Sequence, residues 1–152
     1  MKKIIFLLPL LLLFSCNKTM LFTKTFSDFN GNRWQKSEIK VFNFDIKKDI
    51  KAADIGLTFT HTLDPQYKNV PLELVINRPD GTRDNVFINL QLEDGSGNNM
   101  SECEGHSCEL NMSVKEGIEM TAGSYVLTIE NKFEEEYLPN ITALGITVED
   151  EN

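Results

Sequence analysis

The sequence predicts an all-β protein, an antiparallel β-sandwich of the jelly-roll or immunoglobulin-like type with about seven or eight strands. Apolar and polar residues alternate with a period of two along several short segments, which is typical of strands that bury one face. Turn signals separate these segments, for example Asn30-Gly31-Asn32 and Pro79-Asp80-Gly81-Thr82. No segment after residue 16 has the long 3.6-residue apolar stripe of an amphipathic helix.

The predicted strands follow one another along the chain. A short strand is expected near 20–22, and longer ones over 39–46, 55–63, 70–76, 86–92, 108–114, 125–129 and 144–148. The apolar parity changes between Val41 and Phe42, which predicts a β-bulge there. In the segment 55–63 one face carries His61 and Leu63, which are therefore expected to be buried together. The turn at 79–82 joins two alternating segments, so 70–92 is expected to form a hairpin.

Residues 1–15 are interpreted as a lipoprotein signal peptide. Lys2 and Lys3 precede an apolar run over 4–14 that is too short to span a bilayer. The residues Leu13-Phe14-Ser15-Cys16 resemble a bacterial lipobox, which implies that Cys16 receives a diacylglyceryl group, becomes the first residue after cleavage and is acylated. Several acyl chains on one residue hold a protein stably at a membrane. The predicted organisation is a signal peptide (1–15), a lipidated N-terminus with a tether (16–25) and one β-sandwich domain (26–152).

The charge balance narrows the range of partners. The chain has 15 Lys and Arg against 23 Asp and Glu, a net charge of −8, and loss of Lys2 and Lys3 with the signal makes it −10. An acidic surface argues against nucleic acid as a partner, because nucleic-acid binding needs a basic face. It also argues against broad contact with anionic lipid, so membrane attachment is assigned to the anchor on Cys16.

The two other cysteines, Cys103 and Cys108, form an even pair outside the cytoplasm, which predicts a disulfide. A zinc site is the alternative, because His106 lies between them. A structural zinc site needs four ligands, and only His61 is left to add to these three, so no metal is expected. The segment that starts at Asp94 resembles the opening of a calcium loop, but Asn99 and Gly105 stand where that loop requires Gly and Glu. A small structural calcium protein is kept as a third hypothesis.

Three aromatic residues could stack on a sugar: Trp34, Tyr67 and Tyr137. A lipid-anchored carbohydrate-binding module of the cell envelope is therefore the alternative function. For Trp34, the only tryptophan, a place in the core is favoured. The sequence has no Gly-x-Ser-x-Gly nucleophile motif and no phosphate-binding loop, so neither an enzyme nor a cofactor is expected.

Four short motifs together resemble a known family. They are Asn32-Arg33-Trp34; Val70-Pro71-Leu72-Glu73-Leu74 running into Arg78-Pro79-Asp80-Gly81; Gly123-Ser124-Tyr125 before Ile129-Glu130; and Leu138-Pro139-Asn140-Ile141 before Leu144-Gly145-Ile146. In this order, after a lipobox, they resemble the gliding-motility lipoprotein GldH family of the Bacteroidetes.

The resemblance implies a non-enzymatic lipoprotein of the cell envelope, anchored to the outer membrane. It implies a role as an accessory or assembly component of the gliding motility machinery and the associated type IX secretion apparatus, with other envelope proteins as partners. No catalytic residue is attributed to the family. In surface-exposed lipoproteins of the Bacteroidetes a cluster of Asp and Glu often follows the lipidated cysteine. None follows Cys16, so the resemblance implies a domain that faces the periplasm.

Overall fold

The computed structural model describes residues 17–152, so the predicted signal peptide and Cys16 lie outside the described residues. Within that range the chain forms eleven strands in three antiparallel sheets and one 3-10 turn, Asn30–Asn32. The strands are β1 Thr19–Phe26, β2 Trp34–Gln35, β3 Lys40–Ile46, β4 Ile50–Thr62, β5 Asn69–Asn77, β6 Arg83–Gln91, β7 Glu102–Glu104, β8 Ser107–Met120, β9 Gly123–Asn131, β10 Tyr137–Leu138 and β11 Ile141–Asp150. No helix among these residues is long and apolar enough to span a membrane.

Eight long strands build two sheets, in the orders β1-β11-β4-β8 and β3-β9-β5-β6. Six of the seven connections between consecutive long strands cross from one sheet to the other, which is the arrangement that two Greek keys give in a jelly roll. The predicted count of seven or eight strands was wrong. The additional strands β2, β7 and β10 are only two or three residues long, too short to produce a visible alternation.

The two large sheets bury their facing sides against each other. Along β3, Phe42, Phe44 and Ile46 are buried and the residues between them are exposed. The Phe44 ring stacks on Phe22 of the opposite sheet, with ring centroids 4.7 Å apart, and on Tyr125 of its own sheet at 5.5 Å. One continuous hydrophobic core therefore joins residues of both sheets.

The hairpin predicted at 70–92 is confirmed. Strands β5 and β6 pair in a regular antiparallel register, and the connecting turn places Gly81 at φ 83°. This left-handed conformation favours glycine, which explains the Pro-Asp-Gly-Thr turn sequence.

The β-bulge predicted between Val41 and Phe42 is wrong, because β3 pairs with β9 without a register shift. Val41 points outward, and Lys40 takes the buried side. The Lys40 ammonium lies 4.5 Å from the centre of the Phe29 ring, a cation–π contact that accommodates a lysine at an inward position. The register shifts of this region lie instead in β4, between Ile50 and Gly56.

The first strand is longer than the short one predicted near 20–22 and occupies most of the segment that was interpreted as a tether, 16–25. Strand β1 starts at Thr19 and pairs with β11, so the folded domain begins seven residues before the predicted boundary at 26. The short strand predicted near 20–22 extends to residue 26, which the sequence did not show because polar residues between Phe22 and Phe26 interrupt the apolar pattern there. It is held by backbone pairing at the edge of the sheet and by Leu21, Phe22 and Phe26, which pack on the core.

The topology gives the domain two distinct ends. The pairs Thr19–Asp150 and Ile50–Met120 bring the start of β1, the β3–β4 loop and the β8–β9 turn to one end, which we name the anchor end. The opposite end, named the far end, carries the loops 27–33, 63–68, 92–101 and 132–136 and the β7–β8 hairpin.

Candidate functional site

The far end contains a cleft of about 370 Å³ between the loops 63–68 and 92–101. Its walls combine the apolar side chains of Leu63 and Leu92 with the polar groups of Glu93 and Asn99. His61 lies at its base and Tyr67 in its wall. The cleft is therefore a small surface of mixed polarity, framed by loops and supported by the end of β4.

His61 is 1% exposed, and both of its ring nitrogens have partners. Nδ1 lies 2.6 Å from the Thr62 carbonyl oxygen, which can only accept, so Nδ1 carries the proton and donates. Nε2 then accepts a hydrogen bond from the Ser101 hydroxyl at 2.8 Å. Burial lowers the pKa of His61 despite the favourable bond to Thr62. The residue is a neutral link between β4 and the 92–101 loop, with no nitrogen free for acid–base chemistry or metal binding.

Tyr67, one of the predicted stacking residues, lies in the wall of the cleft. Its hydroxyl donates to the Pro139 carbonyl at 2.8 Å, and its ring packs edge-on against Phe133 with centroids 5.6 Å apart. Burial raises the pKa of the Tyr67 hydroxyl. The side chain therefore joins the 63–68 loop to the segment before β11, and only part of its ring is open to a ligand.

Trp34 does not form a stacking platform, so this part of the sugar-binding hypothesis is wrong. Its side chain is fully buried, and its Nε1 donates to the Glu38 carbonyl at 2.8 Å. Its own carbonyl accepts a bond of 3.0 Å from the Asn131 amide, and its ring packs against Phe29. Trp34 is a core residue that links β2 to β9, which confirms the favoured interpretation.

Tyr137, the third predicted stacking residue, is in β10, next to the residue that pairs with Trp34. The Arg33 guanidinium lies 4.6 Å from the centre of its ring and covers one face. The structure therefore brings Tyr67 and Tyr137 to the same end of the domain, but it does not combine them with Trp34 into one platform.

Cys103 and Cys108 form the predicted disulfide, between residues that face each other in β7 and β8. Cys108 is buried, and its other neighbour across the sheet is His61. The zinc hypothesis fails for these residues because the two sulfurs are bonded to each other. Across residues 17–152 no group of three or more His, Cys, Asp or Glu side chains is placed to hold a metal ion.

The Asp94 carboxylate is occupied by donors of its own loop. It accepts hydrogen bonds from the backbone N–H of Ser96 at 2.8 Å and of Asn98 at 2.9 Å, and from the Asn98 side chain at 2.9 Å. The Asn98 side chain is the main reason that the pKa of Asp94 is lowered. This is the geometry of an Asx turn, in which N–H groups satisfy the carboxylate, and it does not support the calcium hypothesis.

Two exposed apolar residues at the far end were missed by the sequence analysis. Leu63 is 51% exposed, although the parity of its segment predicts burial, because β4 ends at Thr62. Met100 is also 51% exposed, in the loop that frames the cleft. The Asp64-Pro65 pair marks the end of the strand, and it was the available signal that Leu63 leaves the sheet.

Several solved structures match the chain over most of its length. Latent PorU from Porphyromonas gingivalis matches with TM-score 0.43 and 8% identity, over 88% of this chain and 13% of PorU. An exo-β-1,3-galactanase from Phanerochaete chrysosporium matches with TM-score 0.38 and 10% identity, over 82% of this chain and 29% of the enzyme. A family 35 carbohydrate-binding module from Clostridium thermocellum matches with TM-score 0.35 and 9% identity, over 86% of this chain and 97% of the module.

The chain thus spans less than a third of the first two of these proteins, and at such low identity and TM-score none of the three carries an argument about activity. No curated protein sequence matches the chain.

The amino-acid sequence shows which family the chain belongs to. The model of the family described as GldH lipoprotein matches residues 22–148. This range runs from β1 to β11 and includes both large sheets and the far-end loops. The chain belongs to the GldH lipoprotein family.

Proposed function

We propose that this protein is a non-enzymatic accessory or assembly component of the gliding motility and type IX secretion machinery. In this proposal a lipid on Cys16 anchors the protein to the outer membrane, and the domain faces the periplasm. The protein acts by binding other envelope proteins.

The observation that carries the proposal is the family match over residues 22–148. A lipoprotein family implies attachment through lipid, and the lipobox-like residues 13–16 supply the cysteine for it. The role in gliding and secretion is the one that the resemblance to the GldH family implies.

The shape of the domain supports a binding role at a membrane. Only two residues separate Cys16 from the start of β1 at Thr19, a span of at most about 10 Å. An acylated Cys16 therefore holds the anchor end close to the bilayer, and the far end points away from it. The loops most accessible to another envelope protein are those around the far-end cleft.

We infer that the partner contacts the far end around Leu63 and Met100. Both are exposed apolar side chains next to a cleft with polar groups, and interfaces combine such apolar centres with a polar rim. The buried His61–Ser101 contact and the disulfide hold the neighbouring backbone in place, so this surface is preorganised.

The anchor is tested by replacing Cys16 with Ala in a strain that lacks the wild-type gene. We expect the C16A protein to leave the membrane fraction, and surface spreading and type IX secretion to fall to the level of the deletion strain. A C16A protein that stays in the membrane fraction and restores both activities would contradict the proposal.

The contact surface is tested by Leu63→Asp and Met100→Asp, with Phe87→Asp as the matched control. Phe87 is 76% exposed on the edge strand β6, so it gives the same chemical change away from the far end. We expect crosslinking of L63D and M100D to envelope proteins to be lost, with normal membrane attachment, while F87D behaves as the wild type. Loss of crosslinking in F87D alone would contradict a contact at the far end and would indicate a contact at the β6 edge.

A further inference from the structure

A second cleft, of about 360 Å³, lies at the anchor end beside the start of β1. It is formed by the first residues of β1 and by the loop between β3 and β4. Its lining is mostly apolar, from Met20, Leu21, Ile46 and Ile50. Met20 is 49% exposed although it lies in a strand, so this end of the domain presents apolar surface to its surroundings.

Two lysines stand at the rim of this cleft. Lys47 and Lys48 are consecutive, exposed residues of the β3–β4 loop. Among residues 17–152, neither of them takes part in an ion pair. Lys48 attracts the Asp150 carboxylate from a distance and forms no ion pair with it. Asp45, the acidic residue that lines the cleft, accepts a hydrogen bond from the Ser124 hydroxyl. The lysines are thus available to external anions.

The position of the cleft indicates what covers it. Met20 is four residues from Cys16, a contour of at most about 14 Å, and β1 leads from that end toward the far end. An acylated Cys16 therefore brings the cleft and its two lysines into the layer of phospholipid headgroups. Apolar side chains with neighbouring lysines suit this layer, where acyl carbons and phosphates lie close together.

We propose that the anchor-end cleft is a membrane-contact site for a phospholipid bilayer. The exposed Met20 side chain enters the apolar part of the interface, and Lys47 and Lys48 bind the phosphates of neighbouring lipids. The inference rests on the lipid anchor of the proposed function, and it adds a defined orientation of the domain. It limits our expectation that the acidic chain makes no contact with lipid beyond its anchor, because two lysines without an ion pair among residues 17–152 stand at this rim.

The test uses the acylated protein in vesicles of phosphatidylethanolamine and phosphatidylglycerol, after mass spectrometry has established the modification of Cys16. A fluorophore is attached at Met20→Cys or, as the far-end control, at Ser96→Cys. The other cysteines do not react, because Cys103 and Cys108 are bonded and Cys16 is acylated. Lipids with a quencher near the headgroup then report the contact.

We expect the label at position 20 to be quenched several-fold more than the label at 96. The double variant K47E/K48E should lower quenching at position 20, since each lysine near an anionic surface favours contact by about fivefold. The control K36E/K68E makes the same change in net charge at the far end and should have no effect.

Equal quenching at positions 20 and 96, or quenching at 20 that K47E/K48E leaves unchanged, would overturn the membrane-contact site and leave the proposed function standing. An unmodified Cys16 would overturn both. A C16A strain that glides and secretes normally would overturn the proposed function by a separate measurement.

Discussion

The Lys18 ammonium donates a hydrogen bond of 2.7 Å to the Asp54 carboxylate, which links the residue before β1 to the middle of the sheet in β4. Asp54 also accepts a bond of 2.9 Å from the Gly117 backbone N–H. The chain is therefore fixed to the domain only two residues after Cys16. The proposed lipid on Cys16 would therefore be held close to the β-sandwich, which would give the domain a defined orientation at the membrane.

Replacement of Asp54 by Asn should loosen the start of β1. Asn keeps an acceptor for Gly117 but loses the ion pair with Lys18, and relief of the repulsion between Asp54 and Glu151 offsets part of this loss. We expect faster amide hydrogen exchange at residues 19–22 of the D54N variant at pH 7. Glu119→Gln, an exposed site with the same charge change, should leave exchange unchanged.

The same pair predicts a dependence on acid. The hydrogen bond from Lys18 lowers the pKa of Asp54, so its stabilising effect is present above the unfolded value of about 3.9 and is lost as the pH falls through the lower folded value. The difference between wild type and D54N in denaturant unfolding should therefore shrink below about pH 4. A difference that stays constant down to pH 2 would contradict this assignment.

His61→Gln should destabilise the far end. The variant loses the two hydrogen bonds to Thr62 and Ser101 in a buried site, which costs about 1–3 kcal/mol in the free energy of unfolding.

The same residue predicts a dependence on pH. Because burial lowers the pKa of His61, the wild type should lose stability as the pH falls below about 6.5, and H61Q should lack this loss. Thermal unfolding at pH 7.5 and pH 5 checks both effects, with the His106→Gln variant of an exposed histidine as the control. An equal acid-induced loss in wild type and H61Q would rule out this role.

Gly123→Ala should destabilise the domain at the β8–β9 turn. Gly123 has φ 138°, and a Cβ at this position would lie 2.6 Å from the Cβ of Pro79. We expect a loss of about 1–3 kcal/mol from backbone strain, with the steric clash in addition. Gly95→Ala is the matched control, because its Cβ would meet no atom within 4 Å. Equal midpoints of the two variants in denaturant unfolding would refute the strain argument.

Removal of the disulfide by C103S/C108S should have a limited effect. The bond closes a short loop, with a sequence separation of 5, so loop-closure entropy predicts a loss of about 2 kcal/mol. Reductant should lower the unfolding midpoint of the wild type to that of the variant and leave the variant unchanged. A much larger loss would show that the β7–β8 hairpin supports the His61 contact as well as its own turn.

The sequence by itself determined the features that depend on neighbours along the chain. The hairpin around Gly81, the two-residue period of the strands and the Cys103–Cys108 pair are local patterns whose physical causes lie within a few residues. Family membership also followed from short motifs in order. The positively charged, apolar N-terminus predicts the lipid anchor in the same local way.

Only the tertiary structure decided which side chains are covered, because burial depends on strands that are distant in sequence. Trp34 is enclosed by β9 and by Phe29, whereas Leu63 becomes exposed once β4 ends. Which of Lys40 and Val41 faces the core is set by the pairing of β3 with β9. The paired residues are about 90 positions apart in the sequence, so a local pattern does not contain this information. The two ends of the sandwich arise in the same way, since the crossing of strands between sheets brings the start of β1 and the loop of Lys47 together.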